Sequence, residues 1–399
     1  MIEAAVIGVG QTKYEAKRRD VSMGGLVRKA IDKAMLAADV DWDAIDAVIL
    51  GKAPDMFEGV MMPELSLVDA IGANGKPLLR VHTAGSVGGS TAVIAASHVC
   101  SGNFDTVLTV TYEKQSESNA TWALSPKYPY SPHINAGAGG YFAPYMREYI
   151  RRYDAPENIG WKVAVKDRLN ALKNPLAHLQ IPGIDENMVA ETPMLWEPLR
   201  YLESCPSSDG ACAMVISNKK LAESRNAAWI KGMAVRSEGT LSAGRDEVNP
   251  QGGQDCAKDI YDQAGITNPF KEIDCAEIYV PFSWYEPMWL ENLHFCDLGE
   301  GWKLTERGAT EIEGDIPFNM SGGVLSSNPI GASGMIRFGE ACLQVTNQAG
   351  DHQVDGANVA MGHAYGGAAQ FFAMWIVRDR KSTRLNSSHS QQSRMPSSA

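Results

Sequence analysis

The chain has 399 residues, 44% of them hydrophobic, and a formal net charge of −11. This length fits two or three ordinary domains or one duplicated domain, and the negative charge argues against nucleic acid as the main partner. The longest mostly apolar runs, such as Ala368 to Val377, are shorter than the roughly 20 residues that cross a bilayer, and Met1-Ile2-Glu3 opens without a basic leader. We therefore expect a cytoplasmic protein with no membrane span.

Short apolar runs alternate with helical patterns, which predicts an α/β fold of βαβ units with a largely parallel sheet. The first part is predicted to contain a strand at Ala4 to Val9, a helix at Ser22 to Leu36, a strand at Ala47 to Leu50, a helix at Leu65 to Ile71, a strand at Leu79 to Val81, a helix at Gly88 to Val99 and a strand at Thr106 to Tyr112.

The same order returns later in the chain. The second set is a strand at Ala228 to Val235, a helix at Asp255 to Ala264, a strand at Ala276 to Val280, helices at Trp284 to Leu293 and Gly331 to Val345, and strands at Val359 to Met361 and Gln370 to Val377. The simplest interpretation is two copies of one βαβαβ half, residues 1–225 and 226–378. Chance similarity between α/β sequences is the alternative.

Two segments lie outside this duplication. An insertion at about 114–203 is too long for a structureless loop, so we expect it to carry helices such as Tyr141 to Arg152 and Trp161 to Leu172. Residues 379–399 are rich in Ser, Gln and Arg and cannot bury a core. We interpret them as a disordered tail or an artefact and leave them out of the fold prediction.

The cysteines point to a reducing compartment. There are seven of them, widely scattered and without a CxxC pair, which does not suit a disulfide framework. We expect this chain alone to form no metal site.

A Gly-rich turn reads V-H-T-A-G-S-V-G-G at residues 81–89, after an apolar strand and before a helix. It is a near miss of the G-x-S-x-G nucleophile elbow, with Ala84 in place of the first glycine. Ser86 is then either a nucleophile or a helix N-cap hydroxyl. The earlier Gly8-Val9-Gly10 lacks a third glycine in the right place, so a dinucleotide-binding motif is poorly supported.

This turn, together with four other stretches, resembles the thiolase superfamily, closest to its sterol-carrier and lipid-transfer branch, over residues 1–378. The other stretches are the loop segment V-A-V-K-D-R-L-N-A-L-K-N-P at 163–175, C-P-S-S-D-G-A at 205–211, N-M-S-G-G and N-P-I-G-A-S-G at 319–334, and G-H-A-Y-G-G at 362–367. The resemblance implies a layered α-β-α-β-α architecture of two duplicated halves with an inserted loop domain.

The resemblance also shows which chemical groups this chain lacks. Matched on Gly88-Gly89, the family's nucleophilic Cys falls at Gly85, the His of its Gly-His-Pro turn falls at Asn328, and the Asn or His of its Asn-Glu-Ala-Phe type motif falls at Tyr279. An Asn cannot exchange a proton near neutral pH, although its amide can donate to an oxyanion.

What remains by this comparison is an acyl-CoA site with different chemistry. Backbone N–H groups of Gly85, Gly366 and Gly367 are expected to form an oxyanion hole, and His363, Tyr365 and Tyr279 to supply one imidazole and two phenols, with His363 assisting a phenol as base. Each of them taken alone can equally be a packing residue. No cofactor is expected beyond the coenzyme A of the thioester substrate.

Cysteine-free thiolase relatives of this kind resemble steroid side-chain retro-aldolases, which cleave a β-hydroxyacyl-CoA without a covalent intermediate. The resemblance further implies a homodimer and a complex with a small zinc-ribbon and OB-fold partner, which would hold the zinc. The first alternative is an acyltransferase with Ser86 or Cys205 as nucleophile. The second is a catalytically inactive subunit that binds acyl-CoA or lipid.

Two further groups of residues have a functional and a structural interpretation. The aromatic run from Phe282 to Trp289 either lines an acyl pocket or packs in the core. The basic pairs Arg151-Arg152 and Lys166/Arg168 either meet the phosphates of coenzyme A or form a solvated charged face.

Overall fold

The structure is a computed structural model that describes residues 3–53, 59–118, 136–240 and 244–379. The predicted tail, apart from Asp379, lies outside these residues. The described strands of the main sheet are β1 (Ala4–Gln11), β2 (Ala47–Gly51), β3 (Leu78–Val81), β4 (Thr106–Lys114), β5 (Asp209–Asn218), β6 (Ala228–Ser237), β7 (Cys275–Glu277), β8 (Val359–Gly366) and β9 (Phe371–Arg378).

The described residues form seven longer helices: α1 (Met23–Ala38), α2 (Val87–Cys100), α3 (Gly137–Tyr153), α4 (Asn158–Leu172), α5 (Gln251–Ala264), α6 (Tyr285–Asn292) and α7 (Ile330–Val345). Shorter helices are Glu64–Leu67, Glu186–Ala190, Lys219–Ala222, Pro269–Glu272, Gly301–Glu306 and Gly323–Ser326, and a small hairpin joins Met194–Trp196 to Leu199–Arg200. No helix within the described ranges is long and apolar enough to span a membrane.

The sheet repeats one topology twice. Its strand order is β3-β2-β4-β5-β1-β6-β9-β8-β7. In the first half β2 pairs in parallel with β3 and β4, and β5 runs antiparallel between β4 and β1. In the second half β7 is parallel to β8, and β9 runs antiparallel between β8 and β6. In the second half, a parallel bridge between Ala276 of β7 and Phe318 takes the place that the pairing of β3 with β2 has in the first half.

The two halves meet along one short antiparallel contact between β1 and β6, where Ala5 faces Trp229 and Val6 faces Ala228. The duplicated thiolase-like architecture predicted from the sequence is confirmed. The expectation of a largely parallel sheet was wrong, because β8 and β9 are joined by the short turn at 367–370, which permits only an antiparallel pair. The chain positions at which the halves begin and end stay predictions.

Five layers follow from where the helices lie. The helix α1 packs on β1, β5 and β4, and α5 packs on β6 and β9, while α2 and α7 contact each other between the two halves of the sheet. Glycines bring α2 and α7 together: a Cβ on Gly88 would lie 2.4 Å from the Met335 nitrogen, and one on Gly334 would lie 2.7 Å from the Gly89 nitrogen. The Gly-Gly pair of the opening motif is therefore a helix-packing feature.

Several predicted boundaries were wrong in ways that matter for the site. The strand predicted at Ala276 to Val280 ends at Glu277, because the N–H groups of Ile278 and Tyr279 donate to side chains, Asn319 Oδ1 at 2.9 Å and His363 Nδ1 at 3.2 Å. The strand predicted to end at Met361 continues to Gly366. The helix predicted at Leu65 to Ile71 covers only Glu64–Leu67. The two helices predicted in the insertion are present as α3 and α4.

Candidate active site

The turn before α2 places Gly85 beside the end of β8. Gly85 is partly exposed, and its φ lies outside the left-handed region. A Cβ at this position would lie 3.3 Å from both Gly366 Cα and the Tyr365 carbonyl oxygen, and 4.0 Å from Tyr279 Oη. The residue matched to the family's nucleophile therefore faces the phenol of Tyr279.

Ser86 has neither the geometry of an exposed nucleophile nor that of a helix N-cap. Its hydroxyl is buried and donates to the Thr83 carbonyl at 2.7 Å, with Thr83 Oγ1 at 3.0 Å. It accepts no N–H of the helix, so the N-cap interpretation was wrong, because the hydroxyl is turned back into the preceding turn. The same bonds leave its oxygen enclosed rather than presented to a substrate.

The two glycines after Tyr365 differ in position. A Cβ on Gly366 would lie 2.5 Å from the Gly85 nitrogen and 2.3 Å from the Ser86 nitrogen, so the backbones of the two motifs are in direct contact. Gly367 has a φ of +65° in the turn between β8 and β9, where a Cβ would meet the Gln370 side chain at 3.3 Å. Gly85 and Gly366 thus belong to one cluster, and Gly367 belongs to its hairpin.

Asn328 connects the turn before α7 with Tyr279. Its Oδ1 accepts from Ser333 Oγ at 2.7 Å and from Tyr279 Oη at 3.4 Å, and its Nδ2 donates to Cys205 Sγ at 3.1 Å. Burial raises the pKa of Tyr279 above its usual range, with Ser333 among the groups that oppose the rise. Asn328 is therefore a fixed amide beside a protonated phenol and a thiol.

Cys205 is the partly exposed thiol of this cluster. Burial raises the pKa of Cys205 to about 11, while the hydrogen bond from Asn328 and the charge of Arg168 act in the opposite direction. Because the thiolate is the nucleophilic form, this environment disfavours Cys205 as a nucleophile near neutral pH.

Tyr365 lies in a buried aromatic cluster. Its ring contacts those of Trp289 at 5.1 Å, Tyr285 at 5.3 Å and Tyr279 at 5.4 Å between centroids, and Phe142 of α3 lies 6.1 Å away. Tyr285 also stacks on Trp289 at 4.9 Å. The aromatic run at 282–289 is thus core, as the structural interpretation held, but it is the part of the core that borders Tyr365.

His363 does not have the geometry expected of a base. It is fully buried on β8, its Nδ1 accepts the Tyr279 N–H, and its Nε2 has no partner within the described residues. Burial lowers the pKa of His363 to about 3. A neutral ring whose acceptor nitrogen is already occupied cannot take a proton from a phenol, so the expected assistance to Tyr365 is not supported.

Among the basic residues of the insertion, Arg151 and Arg152 lie on a solvated charged face, as one interpretation predicted, whereas Lys166 and Arg168 fit neither interpretation. Lys166 is buried and contacts Asp167 Oδ1 at 2.6 Å and Glu286 Oε2 at 3.0 Å, and the buried Arg168 guanidinium donates to the carbonyls of Leu202 at 3.0 Å and Ser204 at 3.2 Å. Neither lies on a solvated face: Lys166 joins α4 to Glu286, and Arg168 joins it to residues 202–204 and also donates to the Leu325 carbonyl at 2.5 Å. Arg151 and Arg152 are paired with Glu148 on the surface.

No pattern in the sequence indicated a role for Ser333, which orients the Asn328 amide. Tyr285, which the sequence indicated only as acyl-pocket lining or core because of its i, i+4 spacing to Trp289, brings a third buried phenol against Tyr365. Among the described residues, no group of His, Cys, Asp and Glu side chains is arranged to hold a metal ion.

Comparison with known proteins identifies the family. Family models match in two places: "Thiolase, N-terminal domain" at residues 1–131 and "Thiolase C-terminal domain-like" at residues 234–379. The acetyl-CoA acetyltransferase of Methanothermobacter thermautotrophicus is 30% identical over 94% of this chain and 99% of its own. The chain belongs to the thiolase superfamily.

Two further matches refine this placement. Human sterol carrier protein 2 is 26% identical over 90% of this chain and 69% of its own length. The solved structure of the "Ltp2-ChsH2(DUF35) aldolase" has a TM-score of 0.79 and 24% identity, covering 95% of this chain and 98% of that one. The chain is thus similar to proteins of the sterol carrier protein 2 type and shares the fold of the aldolase.

Proposed function

We propose that this chain cleaves or forms a carbon–carbon bond in a β-hydroxyacyl-CoA by retro-aldol or aldol chemistry, in the degradation of sterol or fatty side chains. The observation that carries the proposal is the pair of buried phenols, Tyr279 and Tyr365, beside Gly85, where the family's cysteine would lie. A nucleophile is absent from that position and acid–base groups surround it.

Retro-aldol cleavage requires proton-transfer groups and donors to an enolate oxygen, and this cluster can supply both. The β-hydroxyl gives up its proton, the Cα–Cβ bond breaks to leave a carbonyl on the departing fragment, and its electron pair forms the enolate of the shortened thioester. Proton return to Cα then completes the reaction. Tyr279 and Tyr365 are the proposed proton carriers, and the Asn328 amide and the backbone at Gly85 and Gly366 are proposed to stabilise the enolate oxygen.

The substrate and partner parts of the proposal rest on relatives. Acetyl-CoA acetyltransferase acts, by its name, on a coenzyme A thioester, which supports coenzyme A as part of the substrate. The aldolase of similar fold is named as a complex with ChsH2(DUF35), which supports a partner protein of that type. We also propose that this partner is small and holds the zinc. We also propose a homodimer.

Acyl transfer through Cys205 is the second candidate. It is favoured by the position of Cys205 Sγ, 3.1 Å from Asn328 Nδ2 within the same cluster. It is disfavoured by the pKa of the thiol, which burial raises to about 11. Ser86 is a weaker candidate, because its hydroxyl donates to Thr83.

The test is to incubate the chain, with and without the partner protein, with β-hydroxyacyl-CoA and β-ketoacyl-CoA thioesters, and to analyse products and intact protein by mass spectrometry. We expect an aldehyde or ketone, a shortened acyl-CoA and no protein adduct. The Tyr279→Phe and Tyr365→Phe variants should lose at least about 100-fold in kcat, as expected when a general acid or base is removed.

The matched control is Tyr261→Phe, because the Tyr261 hydroxyl is buried and donates to the Leu293 carbonyl at 2.8 Å, outside the site. This variant should keep wild-type turnover. An acyl adduct on Cys205 or Ser86 would establish acyl transfer instead. Binding of acyl-CoA without turnover of any thioester, with or without the partner, would leave the inactive-subunit alternative standing and refute the aldolase proposal.

A further inference from the structure

Buried tyrosine hydroxyls in this protein fall into two groups. The buried tyrosines are Tyr14, Tyr112, Tyr149, Tyr261, Tyr279, Tyr285 and Tyr365. Five of them donate to a protein atom, for example Tyr149 to Glu291 at 2.6 Å and Tyr14 to Gln11 at 2.7 Å. The hydroxyls of Tyr285 and Tyr365 have no hydrogen bond of normal geometry within the described residues.

These two exceptions are neighbours. Their rings contact each other at 5.3 Å between centroids with a 44° tilt, and both hydroxyl oxygens are buried. A buried hydroxyl without a partner loses the hydrogen bonds it made to water, so such groups in native proteins call for an explanation, and a catalytic role is one. Here two such hydroxyls are adjacent and lie inside the candidate active site.

The ring of Tyr285 is held rigidly where it is. It begins α6, stacks on Trp289 one turn later at 4.9 Å, and meets Phe142 of α3 edge-on at 5.7 Å. The phenol cannot turn toward solvent without breaking this stack. Its hydroxyl therefore stays beside Tyr365, with the freedom only to rotate its proton.

The two phenols influence each other's charge. Burial raises the pKa of each of them well above its usual range; the Tyr365 side chain partly reverses the rise at Tyr285, whereas Tyr285 adds to the rise at Tyr365. The loss of one proton from the pair is thus favoured by the hydroxyl that remains, and the loss of a second is opposed. Burial opposes ionisation of both phenols, so the pair can carry at most one negative charge.

We propose that Tyr285 is a positioning residue of this site, whose hydroxyl pairs with that of Tyr365 so that the two phenols share one negative charge during proton exchange with the substrate. This inference rests on the proposed aldolase function and extends it to a residue that the sequence indicated only as acyl-pocket lining or core. The residue acts through Tyr365, which is the phenol that also borders Tyr279.

The proton steps balance within the pair and the substrate. The phenolate pair takes the β-hydroxyl proton, so the substrate O–H bond breaks and a phenol O–H bond forms. The alkoxide collapses to a carbonyl as the Cα–Cβ bond breaks, and the enolate then takes a proton from the same phenol at Cα. The pair returns to its single negative charge, and no oxidant, reductant or metal takes part in these steps.

The experiment uses Tyr285→Phe in the full chain, with the partner protein if turnover requires it, and Tyr261→Phe as the matched control. Tyr285→Phe keeps the ring on Trp289 and removes only the oxygen. We expect kcat to fall about 10- to 100-fold, the range of one hydrogen bond to a charged group. KM should stay within about two-fold, and the rising limb of the pH–kcat profile should move to higher pH.

A second variant protects the test against a simple folding defect. Difluorotyrosine at position 285 keeps the ring and the hydroxyl but ionises at lower pH, so it should move the rising limb of the profile to lower pH. A packing role for Tyr285 would not produce opposite shifts in the two variants. Unchanged kcat and pH profiles in both would overturn the proposal.

An activity-independent measurement separates this inference from the proposed function. A fluorotyrosine placed at position 365 reports its own ionisation through its ¹⁹F resonance. Because Tyr285 adds to the rise in the pKa of Tyr365, Tyr285→Phe should lower the pH at which that resonance titrates, whereas Tyr261→Phe should not. If no thioester is cleaved by the wild-type protein but the resonance shifts, the aldolase proposal fails and the hydroxyl pair stands. If the wild-type protein is an active aldolase and the resonance does not move, the pairing is refuted.

Discussion

The position of Gly85 makes a direct prediction about thiol chemistry. In the Gly85→Cys variant the new Cβ meets Gly366 Cα and the Tyr365 carbonyl oxygen at 3.3 Å, and the site is partly exposed. These contacts are tight but not prohibitive, so we expect a loss of about 1 kcal/mol in the free energy of unfolding, the low end for added volume. The introduced thiol lies just before the first turn of α2, where the helix dipole stabilises a thiolate.

The expected difference in thiol reactivity is calculated by comparison with Cys205, the existing thiol of the site. At pH 7.5 a cysteine with a pKa of about 11, the value to which burial raises Cys205, is ionised to about 0.03%, whereas one with the reference pKa of about 8.5 is ionised to about 10%. The introduced thiol should therefore hold at least about 300 times more thiolate than Cys205 does. A lowered pKa at the helix start widens the difference.

The assay is alkylation with iodoacetamide at pH 7.5, followed by peptide mass spectrometry at several times. Ala37→Cys is the matched control, because Ala37 is exposed in the last turn of α1, where the dipole disfavours a thiolate. We expect the thiol at position 85 to react first, the control more slowly and Cys205 last. If position 85 reacts no faster than Cys205, the geometry assigned to this turn is wrong.

Two further predictions concern stability. Gly334→Ala should lower the free energy of unfolding by about 2–3 kcal/mol in urea denaturation, because its Cβ would lie 2.7 Å from the Gly89 nitrogen and 2.8 Å from Ala364 Cβ. The control is Gly239→Ala, whose Cβ would have no atom within 4 Å. Equal urea midpoints for the two variants would contradict the close packing of α2 and α7. Burial raises the pKa of Glu203 from 4.5 to about 7, so between these pH values the folded chain keeps a proton that the unfolded chain releases. The contribution of this group to the free energy of unfolding is therefore complete at low pH and is lost as the pH rises to 7. Relative to Glu203→Gln, the wild-type protein should lose about 3 kcal/mol between pH 4.5 and 8, and parallel stability curves for the two proteins would refute the assignment.

Much of the fold could be predicted from local sequence. Apolar periodicity placed α1, α2 and α4 close to their observed positions, because a helix that packs on a sheet must repeat its buried residues every three or four positions. The motifs also identified the superfamily, since Gly88 and Gly334 are required where the two helices come into backbone contact. A side chain at those positions would push α2 and α7 apart, so these glycines in the sequence indicate the architecture.

The candidate site depended on tertiary contacts that no local pattern carries. Whether Tyr285 packs or takes part in proton exchange is decided by Tyr365, which lies 80 positions later in the chain and reaches it only because β8 continues to Gly366. In the same way, the neutral state of His363 follows from its burial and from the Tyr279 N–H that occupies its Nδ1. The sequence determined which residue types were available, whereas burial and long-range pairing, which exist only in the folded chain, decided which of them can hold a proton.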